Sequence, residues 1–230
     1  MTRSPQLYLV LPPRTGADAA AYLARQIARH PPACVRLGTA GLGEDEIRKQ
    51  ADAVREIAHR AEIAVVIESH FRLVRPLGLD GVHLTDGHRN IRAARKELGA
   101  DAIIGTFCGA SRHIAMTAAE MGADYVAIGP FTAGGLGDGA TADPALAAWW
   151  SEMIETPLVV EGGLSTRLAA SLANAADFIA MGAELWGAEI LGAEPQSPED
   201  HTLKRLNAET AAWLSYAGLF DNTPDEEDVQ

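Results

Sequence analysis

Eight short runs of aliphatic and β-branched residues recur along the chain and alternate throughout with helical patterns, so that each strand is expected to be followed by a helix. The runs are LYLVL (7–11), ACVRL (33–37), IAVVIE (63–68), GVHL (81–84), AIIGT (102–106), DYVAIG (124–129), PLVVEG (157–162) and DFIAMG (177–182). Intervening segments such as EDEIRKQADAVREIAHRA (44–61) and SRHIAMTAAEMG (111–122) repeat apolar residues at helical intervals among good helix formers. Apolar strands alternating with helices call for a parallel sheet covered on its faces. Eight such units in 230 residues predict a single (β/α)8 TIM barrel, a fold of ~250 residues. A doubly wound open sheet is the second solution.

The barrel is expected over residues 1–192. A C-terminal helical extension follows over 193–220, built from the linker GAEPQSPED and a helix from about 199 to 217 that starts near Ser197-Pro198. Its Trp213, Leu214, Tyr216, Leu219 and Phe220 suit packing on its own barrel or on a second copy of the chain, as a homo-oligomer. Residues 221–230, DNTPDEEDVQ, carry five acids and no base and read as a disordered acidic tail.

The formal charge of −12 argues against nucleic acid and anionic membrane as partners. No stretch approaches the ~20 apolar residues of a membrane span, and Pro12-Pro13 interrupts the first apolar run as a signal peptide would not. A cytoplasmic location is expected. Cys34 and Cys108 offer neither a disulfide framework nor metal-ligand spacing, and each adjoins an apolar run, so both read as small buried hydrophobes.

In a TIM barrel the chemistry sits at the C-terminal strand ends, and phosphate binds after strands 7 and 8. There the chain has Gly162-Gly163 and Gly182-Ala183, backbone able to face an oxyanion, with STRLAASL opening a helix after the first pair. These four residues are the expected phosphate site; the plainer reading is that the glycines make tight turns. Glu68, His70, Asp86 and His88 end neighbouring strands, where they suit acid–base catalysis or a divalent ion, or stand as solvated loop residues. Arg36, Phe107, Gly137, Asp138 and Glu161 are expected to line the pocket. Arg36 suits an anionic ligand or an ion pair across the rim. His83, inside GVHL, reads as a packed core histidine. Lys49, Lys96 and Lys204 all fall within predicted helices, which disfavours Schiff-base chemistry.

The blocks GVHL, IIG, MGADYVAIGP and VVEGGL, with the opening LYLV, resemble the thiamine phosphate synthase / thiazole tautomerase family in order and spacing from about residue 7 to 190. That resemblance implies a TIM barrel. It also implies a reaction in which a pyrimidine methyl diphosphate loses pyrophosphate and the nitrogen of a thiazole phosphate captures the cation, with Mg²⁺ and cationic side chains on the leaving group. Gly162 and Gly163 match the family's Gly-Gly, while Gly182 and Ala183 occupy its Ser-Ala turn. Elsewhere the chain departs from the pattern. Arg36, Gly38 and Ala40 stand where the family has Gln, Arg and Lys, and Glu68-Ser69 stand for its Asn-Asp. Its second metal-binding Asp falls at His88, its Ser after strand 5 at Phe107, and its Thr-x-Thr-Lys loop at Gly134, Gly135, Leu136 and Gly137. The expectation is a family barrel that binds a phosphorylated small molecule without most of the pyrophosphate- and Mg²⁺-binding side chains.

Overall fold

The computed structural model describes residues 4–13, 19–133 and 136–182. Eight parallel strands close into a barrel in the order β1 to β8. They are β1 (Gln6–Leu11), β2 (Cys34–Leu37), β3 (Ala64–Glu68), β4 (Gly81–Leu84), β5 (Ile103–Phe107), β6 (Tyr125–Ile128), β7 (Leu158–Val160) and β8 (Phe178–Met181). Among the described residues six α-helices cover them: α1 (Ala19–Arg29), α2 (Glu44–Arg60), α3 (Ile91–Leu98), α4 (Arg112–Glu120), α5 (Pro144–Met153) and α6 (Thr166–Leu172). The open-sheet alternative is thereby excluded. Ala183 and the expected extension and tail at 193–230 lie outside the described residues.

One connection departs from the predicted alternation. Between β3 and β4 there is no α-helix, only a 3-10 turn at Phe71–Leu73. Pro76 and Gly78 lie in this link, and Gly78 takes the left-handed φ of 62°. A proline three positions after the turn and a left-handed residue five positions after it stop a helix from propagating.

Period-two alternation divides the strands into two layers. One set, including Leu9, Val35, Val65, Val82, Ile104, Val126, Leu158 and Ile179, packs with the helices in the outer core. The alternate set, including Tyr8, Cys34, Val66, Phe107, Tyr125, Ala127, Val159 and Ala180, fills the barrel. Gly105 belongs to the inner set, where a Cβ would fall 1.8 Å from Tyr125 Cζ; only glycine leaves room for that ring.

The N-terminal end of the barrel is clasped by three aspartates, each just before an even-numbered strand. Asp80, Asp124 and Asp177 accept from the amides of Val65, Ile104 and Leu158, at 2.7, 2.7 and 2.9 Å. Each carboxylate thus ties an even strand to its odd predecessor. Caps are equally local: Ser111, Asp143 and Ser165 accept from Ile114, Ala145 and Leu168 to start α4, α5 and α6.

Candidate functional site at the barrel centre and mouth

The barrel interior contains a continuous chain of polar side chains. Arg36 Nη2 lies 2.8 Å from Glu161 Oε2, and Arg36 Nη1 donates to His83 Nε2 at 2.7 Å. His83 Nδ1 is 2.9 Å from the Tyr125 hydroxyl, which lies 2.7 Å from that of Tyr8. Donor chemistry fixes the direction: a guanidinium only donates, so His83 Nε2 accepts and its proton sits on Nδ1. His83 therefore donates to Tyr125, whose hydroxyl shares a hydrogen bond with that of Tyr8. The imidazole stacks on Tyr125 with centroids 5.7 Å apart, and the Arg36 guanidinium stands 5.8 Å from the Tyr8 ring centroid.

Burial sets the protonation states. Desolvation, with a smaller contribution from the Arg36 charge, holds His83 well below its ordinary value, so it is neutral. Burial pulls the Arg36 guanidinium down, but Glu161 and then Tyr8 more than reverse this and raise it above its ordinary value. Burial is also the main cause that pushes both tyrosines well above theirs. Cys34 and Cys108 are free and buried, as the sequence suggests. Burial takes each to about 12, with Asp80 contributing for Cys34 and Glu161 for Cys108.

The Arg36–Glu161 pair is monodentate. Arg36 Nε and Glu161 Oε1 are both inaccessible and have no hydrogen-bond partner; His83 Nε2 is 3.9 Å from that oxygen. One donor and one acceptor therefore remain unused beside the β7–α6 turn.

At that turn Gly162 and Gly163 adopt φ of 82° and 66°, left-handed conformations that L side chains resist. Among the described residues no backbone carbonyl accepts from the amides of Gly163 or Leu164. The β6–α5 loop packs directly on the pair: a Cβ on Gly162 would meet Leu136 at 2.8 Å, and one on Gly163 would meet Thr132 Oγ1 at 1.9 Å. Thr132 Oγ1 donates to the Gly163 carbonyl at 3.0 Å. Phe107 is 8% exposed at the end of β5, where a Cβ on Gly137 would lie 3.2 Å from its ring, while Leu136 packs on the same interior cluster. Asp138 is exposed and accepts locally from the Ala140 amide. Gly182, following β8, is half-buried.

The four residues expected as acid, base or metal ligands lie on the rim above β3 and β4. Glu68 is half-buried and His70 exposed; His70 Nδ1 contacts Thr39 Oγ1 and the Glu68 carbonyl. The two loops meet through Ser69 and Thr85, whose hydroxyls are 2.8 Å apart. Asp86 accepts from Asn90, leaving Asp86 Oδ1 and, two residues on, His88 Nδ1 buried and without partners. Among the described residues no three His, Cys, Asp or Glu side chains converge to hold a metal. The residues present thus do not form a protein cage for Mg²⁺. Lys49 and Lys96 lie on α2 and α3, away from the interior chain.

Tyr8 and Tyr125 are the site residues that sequence reasoning did not single out. Their signal was present: both occupy inward positions of the period-two pattern, in phase with Arg36 and His83, and both carry a polar tip that burial obliges to find a partner.

A closed eight-stranded parallel barrel with helices between its strands defines the class: a TIM-barrel protein. A family model described as thiamine monophosphate synthase matches residues 7–185. The chain is 38% identical over 184 residues to a thiamine-phosphate synthase of Rhodospirillum centenum, covering 79% of this chain and 89% of that one. It is 34% identical over 190 residues to one of Erythrobacter litoralis, covering 80% and 89%. Among solved structures, a thiamine phosphate pyrophosphorylase from Pyrococcus furiosus superposes with a TM-score of 0.72 at 16% identity, covering 94% of this chain and 98% of that one. An aldolase from Escherichia coli superposes at 0.65 and 15% identity, covering 94% and 92%; at such identities the likeness is one of fold. The chain belongs to the thiamine monophosphate synthase family.

Proposed function

We propose that this barrel binds a phosphorylated small molecule at the Gly162–Gly163 turn, with Gly182 and Ala183 on the neighbouring strand end, and has lost the family's route for expelling pyrophosphate. The observation that carries this reading is the state of Arg36. It is the one cation present among the positions matched to the family's leaving-group contacts, standing where the family has Gln, and it is 7% exposed in an ion pair with Glu161. Gly38, Ala40 and Gly137 stand at the other matched positions without side chains to replace it.

The magnitudes favour loss over slowing. One charge-assisted contact to developing negative charge is worth ~10²–10³ in rate, and several removed together leave little, even when their effects do not add. The β7–α6 turn contributes the binding half of the reading. Its left-handed glycines present the Gly163 and Leu164 amides without a backbone acceptor among the described residues, an arrangement suited to phosphate oxygens. Phe107 and Leu136 narrow the mouth beside it. No helix among the described residues is long and apolar enough to cross a membrane, and the proposed setting is the cytoplasm.

The deciding assay mixes purified protein with a pyrimidine methyl diphosphate, a thiazole phosphate and Mg²⁺, and follows thiamine phosphate. The expected result is no formation above the uncatalysed background. Turnover of about 1 s⁻¹, within the ordinary enzyme range, would overturn the loss of synthase chemistry.

A second reading rests on a specific observation: Asp86 Oδ1 and His88 Nδ1 are buried and unpartnered. In that reading the chain is a transferase of thiamine biosynthesis, like its named relatives. Glu68 and Asp86 would supply one or two carboxylates while the substrate's phosphates complete the Mg²⁺ shell. His70 and His88 would then move protons. Turnover abolished by Asp86→Asn would establish it.

A further inference from the structure

We propose that Glu161 determines specificity by neutralising Arg36, so that the site takes a ligand with a single phosphate at the Gly162–Gly163 turn and an uncharged hydrogen-bonding group toward the barrel centre, and discriminates against a diphosphate. This rests on the phosphate reading of that turn and deepens it by naming the ligand class.

Glu161 is the residue immediately before the turn, so its charge lies next to the phosphate. Alone, the buried Arg36 guanidinium would make the barrel centre a second anion site, able to hold the distal phosphate of a diphosphate. Paired at 2.8 Å with side chains 8% and 4% exposed, it presents no net charge. An anion placed there would have to displace a carboxylate already held in a water-poor interior, where breaking such a pair is costly.

The unused valences describe the complementary group. A bidentate pair would engage both carboxylate oxygens and Nε; this one leaves Arg36 Nε without an acceptor and Glu161 Oε1 without a donor. A hydroxyl or amide offers one of each and carries no charge. The rest of the chain supports the same polarity. His83 is neutral and faces Arg36 with a lone pair, while Tyr125 and Tyr8 are un-ionised phenols. Toward the mouth, Phe107 and Leu136 add no charge.

The test is calorimetric titration at pH 8 and fixed ionic strength, without divalent metal, using inorganic phosphate and inorganic pyrophosphate as probes. Wild type is expected to bind pyrophosphate at least threefold more weakly than phosphate. Glu161→Gln releases the Arg36 charge and is expected to tighten pyrophosphate at least tenfold while changing phosphate by less. Arg36→Gln leaves the carboxylate uncompensated and is expected to weaken phosphate at least fivefold. The wild-type ratio stands even if a variant fails to fold: pyrophosphate binding as tight as phosphate, or tighter, overturns the proposal. Phosphate binding with an unchanged ratio in Glu161→Gln sinks the specificity role alone. Binding of neither anion by either protein sinks the phosphate reading with it.

Discussion

Arg36, Glu161 and His83 are 7%, 3% and 1% exposed at the barrel centre, and they run into Tyr125 and Tyr8 through hydrogen bonds of 2.7–2.9 Å. Glu68, His70, Asp86 and His88 are also acids and imidazoles, but they stand at the end of β3 and on the loops after β3 and β4, where none is fully buried. At the centre each side chain is held by its neighbours, and low dielectric makes every satisfied contact strong and every broken one expensive. On the rim the side chains contact hydroxyls, a carbonyl and an amide, and water competes for each. Pre-organisation therefore belongs to the interior chain, adaptability to the rim. A substitution should be severe in the first region and mild in the second.

Cutting the interior chain at its ion pair gives the largest effect. Glu161→Ala leaves a buried guanidinium uncompensated and is expected to cost about 3–5 kcal/mol in urea unfolding. The double variant Arg36→Met with Glu161→Leu removes both charges and should recover most of that loss. If the double variant is as unstable as the single, the chain's cohesion is not electrostatic.

Next comes Gly105→Ala. Its Cβ would overlap the Tyr125 ring at 1.8 Å, and overpacking of this kind costs about 1–3 kcal/mol. The His83–Tyr125 link should be lost with it, visible as an altered imidazole nitrogen resonance. An unaltered resonance would show that the inner layer yields more than its packing implies.

The pH dependence follows in size. His83 has its folded value depressed below 6.5, so the unfolded state takes up the proton first. Stability is then complete above 6.5 and falls with decreasing pH, at a slope approaching ~1.4 kcal/mol per unit. Tyr8 and Tyr125 are raised above 10, so they add a loss as pH climbs past 10. His83→Gln should flatten the acid limb and Tyr125→Phe the alkaline one, both read from urea midpoints across pH. Limbs unchanged by these substitutions would assign the pH dependence elsewhere.

The rim gives the smallest changes. His70→Ala is expected to move stability by no more than about 0.5 kcal/mol, and Arg48→Ala, which breaks the exposed pair with Glu44 on α2, by a similar amount. A cost above 2 kcal/mol at His70 would place it with the interior group and erase the distinction.

Much of the fold was legible in the residues. All eight strands lie at the apolar runs, with ends moved by no more than two positions, and Ser111 and Gly122 bound α4 as turn chemistry suggests. The absent α-helix after β3 was less visible, because Phe71, Leu73, Val74, Leu77 and Leu79 look like ordinary apolar spacing until Pro76 and Gly78 are weighed. For the site, Arg36 and Glu161 were legible as pocket residues and His83 as a buried one. Their union was not legible.

The sequence by itself determined the barrel and which residues face its axis, because alternation along a strand is local and eight apolar runs have few ways to bury both faces. Only the tertiary structure decided who meets whom at that axis. Arg36 and His83 are separated by 47 positions, and Tyr8 and Tyr125 by 117. Closure of the sheet brings them within hydrogen-bond reach, and no local propensity carries that information. The same closure places the Glu161 carboxylate against the inward Arg36, which makes this pair neutral where Arg36 alone would read as positive.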